Sequence, residues 1–188
     1  MNTNILEVIK RRRTVKPERY TGQIIPNEAI EAAIEAANWA PTHGFTEPWR
    51  FIVFEGEKKR DLLNFLNNLD TLKSGENEVR DAKRAKTFDQ TSHIIAIAMK
   101  RGENPKIPEI EELLATAMAV QNLWLAADSL GFAGYWSTGA VAFSDELRIF
   151  LELDDNHKTL GFFYAGITAT EIPEGRRFTL GADKTRWW

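Results

Sequence analysis

The chain has 188 residues, 43% hydrophobic and 27% charged, with a formal net charge of −3, six tryptophans and no cysteine. That is enough apolar side chain to close one core without disulfide or metal staples, so a single domain over residues 1–188 is expected and bulk disorder is excluded. The missing cysteine removes disulfide frameworks, Cys-zinc sites, iron–sulfur clusters and thiol catalysis, and the slightly acidic balance argues against a dedicated nucleic-acid binder.

Asn2, Thr3 and Asn4 offer N-cap oxygens, and Ile5, Leu6 and Ile9 form a short apolar stripe, which predicts a first helix from about Asn4 to Arg13. Its cations come too soon for a signal-peptide core, and no run approaches about 18 apolar residues, so a cytoplasmic protein without a membrane span is expected. Pro17 and Gly22 break the pattern. Pro26-Asn27 then opens a second helix with Ile30, Ala33, Ile34 and Ala37 on one face, ended by Pro41. A strand follows from Trp49 to Glu55, with Phe51 and Val53 on one face and Ile52 and Phe54 on the other. Both faces are apolar, so burial on both sides is expected.

Glu57 to Leu72 predicts a third helix turning Leu62, Leu63, Leu66 and Leu69 inward. Residues 73–90 are polar and of mixed charge and are expected as a mobile loop or an exposed helix. Ile94 to Met99 is a second buried strand. The longest helix runs from Glu109 to about Leu130, with Leu113, Leu114, Ala117, Val120, Leu123, Trp124 and Ala127 as its apolar surface and Gly131 as its stop. Its alanines permit close helix contact, in the core or at a subunit interface. A short strand at Phe132–Trp136, a helix capped by Ser144 and reaching Leu151, and a fourth strand at Leu160–Ile167 complete the pattern. The last twenty residues carry no helical periodicity. Strands set between long helices give an α+β (mixed α/β) class with a sheet sandwiched by helices.

Familiar catalytic patterns are missing. No dinucleotide or P-loop glycine pattern follows a strand, and Gly134-Tyr135-Trp136-Ser137 misses a nucleophile elbow by one residue. His43, His93 and His157 are scattered, so no metal site is expected, and Asp154-Asp155 has the character of a solvated turn. An enzyme built this way needs an organic cofactor to carry the chemistry.

Three segments bear on such a cofactor. Lys10 to Lys16 holds five cations in seven residues at a helix end. A solvated helix terminus explains it, as does an anion site in which Arg forks and the Thr14 hydroxyl hold phosphate; nucleic acid is a third, weaker explanation. Trp39 to Phe51 is a Pro- and Trp-rich corner, either a packed connection or a wall for a flat aromatic ligand. Gly131 to Ala140 places small residues after a strand, where backbone N–H groups stay accessible.

In this order the segments resemble the nitroreductase family of FMN-dependent oxidoreductases, above all its short-chain branch. The family's opening basic motif corresponds to Arg12-Arg13-Thr14-Val15-Lys16, and its Ala-Pro-(Ser/Thr) and Gln-Pro-Trp-x-Phe motifs to Ala40-Pro41-Thr42 and Glu47-Pro48-Trp49-Arg50-Phe51. Leu130-Gly131-Phe132-Ala133-Gly134 and a terminal Lys184-Thr185-Arg186 complete the match. The resemblance implies a central mixed or antiparallel sheet of four or five strands, a C-terminal arm extending onto the partner subunit, and a homodimer with FMN sites at its interface. By it, Arg12, Thr14, Arg186 and Lys184 face phosphate and ribityl, with Arg13 beside them. Lys16 sits by flavin N1/O2, where its ammonium stabilises charge gathered on reduction. Ser137, Thr138 and Gly139, after Trp136, approach N5, and Trp39 and His43 line the partner's site. No side chain is required as a catalytic group.

The implied activity is hydride transfer from NADH or NADPH to flavin and on to a nitroaromatic, quinone or similar conjugated acceptor, by a ping-pong scheme. The sequence departs from the pattern at Glu47, Phe45 and Trp39, where the family has Gln, often Asn and often Arg. These departures leave a flavin-binding storage or sensing protein without turnover as the alternative.

Overall fold

The computed structural model describes residues 4–188. Asn2 and Thr3, two of the three predicted cap residues, lie outside the described residues. The third, Asn4, caps helix α1 (Ile5–Arg11) by accepting the Leu6 N–H at 3.0 Å. The helix stops two residues short of Arg13 because Arg12 turns extended, and the chain beyond it pairs with the sheet: the Val15 N–H donates to the Gly134 carbonyl at 3.1 Å.

Helix α2 (Asn27–Asn38) begins where Pro26 predicts. Strand β1 (Trp49–Phe54) follows, then helices α3 (Gly56–Ser74) and α4 (Glu78–Gln90). The polar stretch 73–90 is thus largely helical. Asn77 caps α4 at 2.9 Å, Arg84 reaches back to Asp70 and Asn67 on α3, and Phe88 is its one buried residue. Strand β2 (His93–Lys100) leads through a loop to α5 (Glu109–Ser129). Strand β3 (Ala133–Ser137), helix α6 (Asp145–Phe150) and strand β4 (His157–Gly166) close the order, and Ser144 caps α6 by accepting the Leu147 N–H.

The four strands form one antiparallel sheet in the order β1-β2-β4-β3. A parallel bridge between Thr14 and Gly134 adds a fragment of a fifth strand beside β3. Strand β4 starts three residues before the predicted Leu160, because the polar His157-Lys158-Thr159 still pairs with Lys100, Met99 and Ala98.

Two apolar layers cover the sheet. On one face α2 and α5 meet through Ala33, Ala37, Ala115 and Ala119 and pack on Ile95, Ile97 and Phe163. On the other, Leu62, Leu66, Phe88 and Leu147 of α3, α4 and α6 pack on Ile94, Ala96 and Phe162. The central β2 is buried from His93 to Met99. The edge strand β1 departs from the expected burial on both sides: Phe51 and Ile52 are half-buried and Val53 is exposed. Of the predicted α5 surface, Val120, Leu123 and Ala127 enter the core, whereas Leu114 faces outward with Ile110 and Met118. No helix among the described residues is long and apolar enough to cross a membrane.

Candidate functional site

The basic segment is laid along the β3 edge by the Thr14–Gly134 bridge. Gly134 is required there, since a Cβ would fall on the Phe163 ring. Tyr20 locks the segment from below, its hydroxyl donating to the Val15 carbonyl at 2.7 Å. This placement turns Arg12 inward, with its guanidinium 4.4 Å from the centroid of the Trp124 ring. Arg12 Nε and Nη1 and Arg13 Nε are buried without a hydrogen-bond partner among the described residues. Burial, then the charges of Arg13 and Arg177, push the Arg12 pKa below its ordinary value against the opposing pull of Asp128. The cation–π contact is worth roughly 0.5–2 kcal/mol. Asp128, already paired with Arg11, is an acidic group beside half-buried Arg12, and the buried guanidinium nitrogens still lack an acceptor.

The chain returns to this point after β4. Residues Ile172 to Arg177 line a groove of about 430 Å³ together with Arg12, Arg13, Thr14 and Arg19. Gly175 lies against the Arg13 guanidinium, and a side chain there would displace that flexible arginine tip. Arg13 otherwise donates only to backbone carbonyls, those of Lys10 at 2.5 Å and Arg12 at 2.8 Å. Arg11, by contrast, is neutralised by Asp128 at 2.6 Å. The groove therefore gathers five arginines against one lining carboxylate, Glu174, a cationic balance suited to a phosphate.

The β3–α6 connection presents the second feature. Trp136 Nε1 donates to the Leu160 carbonyl at 3.0 Å and fixes the strand end. Ser137 ends the strand opposite Phe162 and is half-buried, Thr138 and Gly139 are exposed, and nothing lies within 4 Å of a Cβ placed on Gly139, so the backbone after the strand end is accessible to a ligand. The third feature is the corner after α2. Trp39 and Phe45 are 80% and 89% exposed, and Trp39 Nε1 donates to Glu35 Oε1 at 3.0 Å. His43 is tethered to Glu111 at 2.6 Å, and Trp49 Nε1 donates to Asn38 Oδ1 at 3.1 Å. Gly44, Phe45 and Glu47 have φ of 59, 55 and 41°, a concentration of left-handed backbone in four residues.

The structure brings Arg12, Arg13 and Thr14 together and leaves Lys16 exposed just beyond them. It does not bring Lys184 and Arg186 to the groove within one chain. They lie on an exposed terminal segment, where Arg186 stacks on Trp188 at 3.8 Å. Arg19, Trp124, Arg176 and Arg177 are the residues that sequence reasoning missed. The adjacent pair after Pro173-Glu174-Gly175 was the available signal for the last two. No group of three or more metal-ligating side chains occurs among the described residues.

The profile of the nitroreductase family matches residues 9–167. The chain belongs to the nitroreductase family. Its nitroreductase relatives include YdjA of Escherichia coli, whose name places it provisionally among NAD(P)H nitroreductases, 29% identical over 179 residues, 92% of this chain and 96% of that protein. A nitroreductase-like protein from Bacillus cereus shares the fold with a TM-score of 0.83 at 25% identity, over 100% of this chain and 97% of the other. A nitroreductase from Bacteroides fragilis, solved with bound FMN, aligns with a TM-score of 0.72 at 26% identity, over 96% and 97% of the two chains.

Proposed function

We propose that the chain is the single-domain subunit of a homodimeric FMN-dependent oxidoreductase that uses NADH or NADPH to reduce a conjugated acceptor. The observation that carries the reading is Arg12, inserted under the β3 edge with two buried nitrogens and no partner. A phosphomonoester supplies the acceptor oxygens these nitrogens lack. Membership of the nitroreductase family and the FMN bound by the Bacteroides fragilis relative support the choice of cofactor.

FMN, when bound, would supply hydride chemistry between NAD(P)H and a nitroaromatic, quinone or similar acceptor in alternating half-reactions. The chain's own residues position and polarise. Arg12, Arg13 and Thr14 bind the phosphate, and Lys16 places an ammonium where the ring system gathers negative charge. The backbone N–H groups of Ser137, Thr138 and Gly139 orient the ring edge, with Trp136 holding their strand end. Trp39 and His43 reach the site of a second copy, where Trp39 favours flat substrates by stacking. Exposed Ile5, Leu6 and Ile9 on α1, with Ile110, Leu114 and Met118 at four-residue spacing on α5, support an apolar subunit interface. A cysteine-free chain suits the cytoplasm.

The test is the visible spectrum of the purified protein followed by steady-state kinetics. Flavin bands and parallel double-reciprocal lines are expected. A colourless protein contradicts the cofactor assignment, and intersecting lines contradict the alternating scheme.

A further inference from the structure

A chain of hydrogen bonds ties the start of α2 to the start of β2 and the end of β1. The Ile25 N–H donates to Ser92 Oγ at 2.7 Å, and Ser92 Oγ meets His93 Nδ1 at 2.8 Å. His93 Nε2 meets Asn27 Oδ1 at 3.0 Å, and Asn27 Nδ2 donates to Glu55 Oε1 at 3.2 Å. The two ends fix the direction. A backbone N–H only donates, and a carboxylate only accepts. Asn27 therefore turns its NH2 group to Glu55 and its oxygen to the ring, so Nε2 carries the ring proton. Nδ1 is then bare and accepts from the Ser92 hydroxyl, whose oxygen takes the Ile25 N–H. Ile25, Ser92 and His93 are buried, whereas Glu55 is exposed and connects the chain to solvent. No side chain caps α2, and its first residue, Asn27, is committed to this chain instead.

We infer that Ser92, His93, Asn27 and Glu55 form a latch that holds the entry of α2 to the sheet and opens when His93 takes up a proton. An imidazolium donates from both nitrogens. Its Nδ1–H displaces the Ser92 hydroxyl hydrogen, which has no second acceptor among the described residues and lies on a fully buried side chain. Burial opposes the charged ring as well, and Lys59, fixed on the Phe88 and Thr91 carbonyls, repels it. Glu55, 3.5 Å from Nε2, attracts it but does not offset burial. Acid therefore releases residues 25–27 locally, while the apolar faces of the sheet stay packed. The latch is independent of the proposed cofactor.

The test uses the isotopically labelled full chain. At neutral pH the long-range proton–nitrogen spectrum of the His93 ring should show Nε2 protonated and Nδ1 bare. Amide exchange is then followed down a pH series, as protection relative to the intrinsic rate at each pH. The Ile25 amide should be less protected than those of Ile95 and Ile97 in β2, and below 6.5 it should lose about tenfold of its protection per pH unit. Low urea should speed exchange at Ile95 and Ile97 and leave Ile25 unaffected, because a local opening exposes little surface. Two variants should act oppositely. Asn27→Asp places a carboxylate on Nε2 and should blunt the acid loss at Ile25. Glu55→Gln removes the attracting charge and should carry the loss to lower pH. A ring proton on Nδ1 overturns the latch, as does an Ile25 amide that shares the protection and urea response of β2 throughout. Equal acid losses in the two variants and the wild type make His93 an ordinary core residue and also overturn it.

Discussion

The Arg12 guanidinium lies over the Trp124 ring, 4.4 Å from its centroid, and this contact decides which way the basic segment faces. Trp124 also meets Phe163 edge-on at 5.5 Å, so the arginine is seated on the packed core and held in place. Trp124 Nε1 is buried without a partner, and the indole N–H therefore contributes nothing that a phenyl ring lacks. Trp124→Phe should cost less than about 1.5 kcal/mol in urea unfolding, whereas Trp124→Ala should cost about 3 kcal/mol or more and weaken FMN binding.

Arg12 and Arg11 are adjacent and should behave oppositely. Arg12→Ala removes charge-assisted contacts to phosphate worth roughly 1.5–3 kcal/mol, a loss of about tenfold or more in FMN affinity by fluorescence titration. It also relieves an unpaired buried cation, so the flavin-free protein should melt no lower than wild type. Arg11 is half-exposed and occupied by Asp128. Arg11→Ala should leave FMN affinity in place and cost about 0–1 kcal/mol. Equal dissociation constants for the two variants would contradict the register assigned to the segment.

Glu112 on α5 is buried and holds both the Arg101 guanidinium and the Gly102 N–H. Gly102 abuts Thr46, and Ile107 abuts Gly44, so this pair supports the left-handed corner that carries His43 and Phe45. Glu112→Ala should cost about 3–5 kcal/mol in chemical denaturation, because it strands the arginine. His43→Ala, which severs only an exposed link to Glu111, should cost about 1 kcal/mol or less.

Acid should weaken the fold through two histidines. His93 sits between Ser92 and Asn27 at 2.8 and 3.0 Å, and burial is the largest influence lowering its pKa below 6.5. Burial lowers His157 likewise, against the opposing influence of Asp154, with Lys100 and Arg50 adding smaller contributions to the lowering. In the window from 6.5 down to the depressed folded values, the unfolded chain takes up protons that the folded chain refuses. Stability is therefore full above 6.5 and declines as pH falls through that window. Urea midpoints at neutral and mildly acidic pH should differ in that direction, and His93→Gln should flatten the difference.

The order of elements was legible because its signals are local. Apolar periodicity located α2, α3 and α5, and continuous apolar runs located β2 and β4. The departures trace to tertiary contacts that periodicity does not carry. Val53 looks like a core residue but lies on an edge strand, and α4 looks like loop until Arg84 is placed against Asp70. The candidate groove was half legible. Arg12, Arg13 and Thr14 were identifiable from a motif. The cations at 176–177 join them only because β4 returns the chain to the same edge. Trp124 has the periodicity of a core residue, and its cationic partner emerges only when α1 is seated on α5.

The most direct test of the central claim is an anaerobic titration of the purified, FMN-loaded protein with NADH or NADPH, followed by its visible absorbance. The account predicts that one or both reductants bleach the flavin bands, and that adding a nitroaromatic or quinone restores them. Flavin that stays oxidised in excess of both reductants would contradict the enzyme and leave a protein that only holds the cofactor.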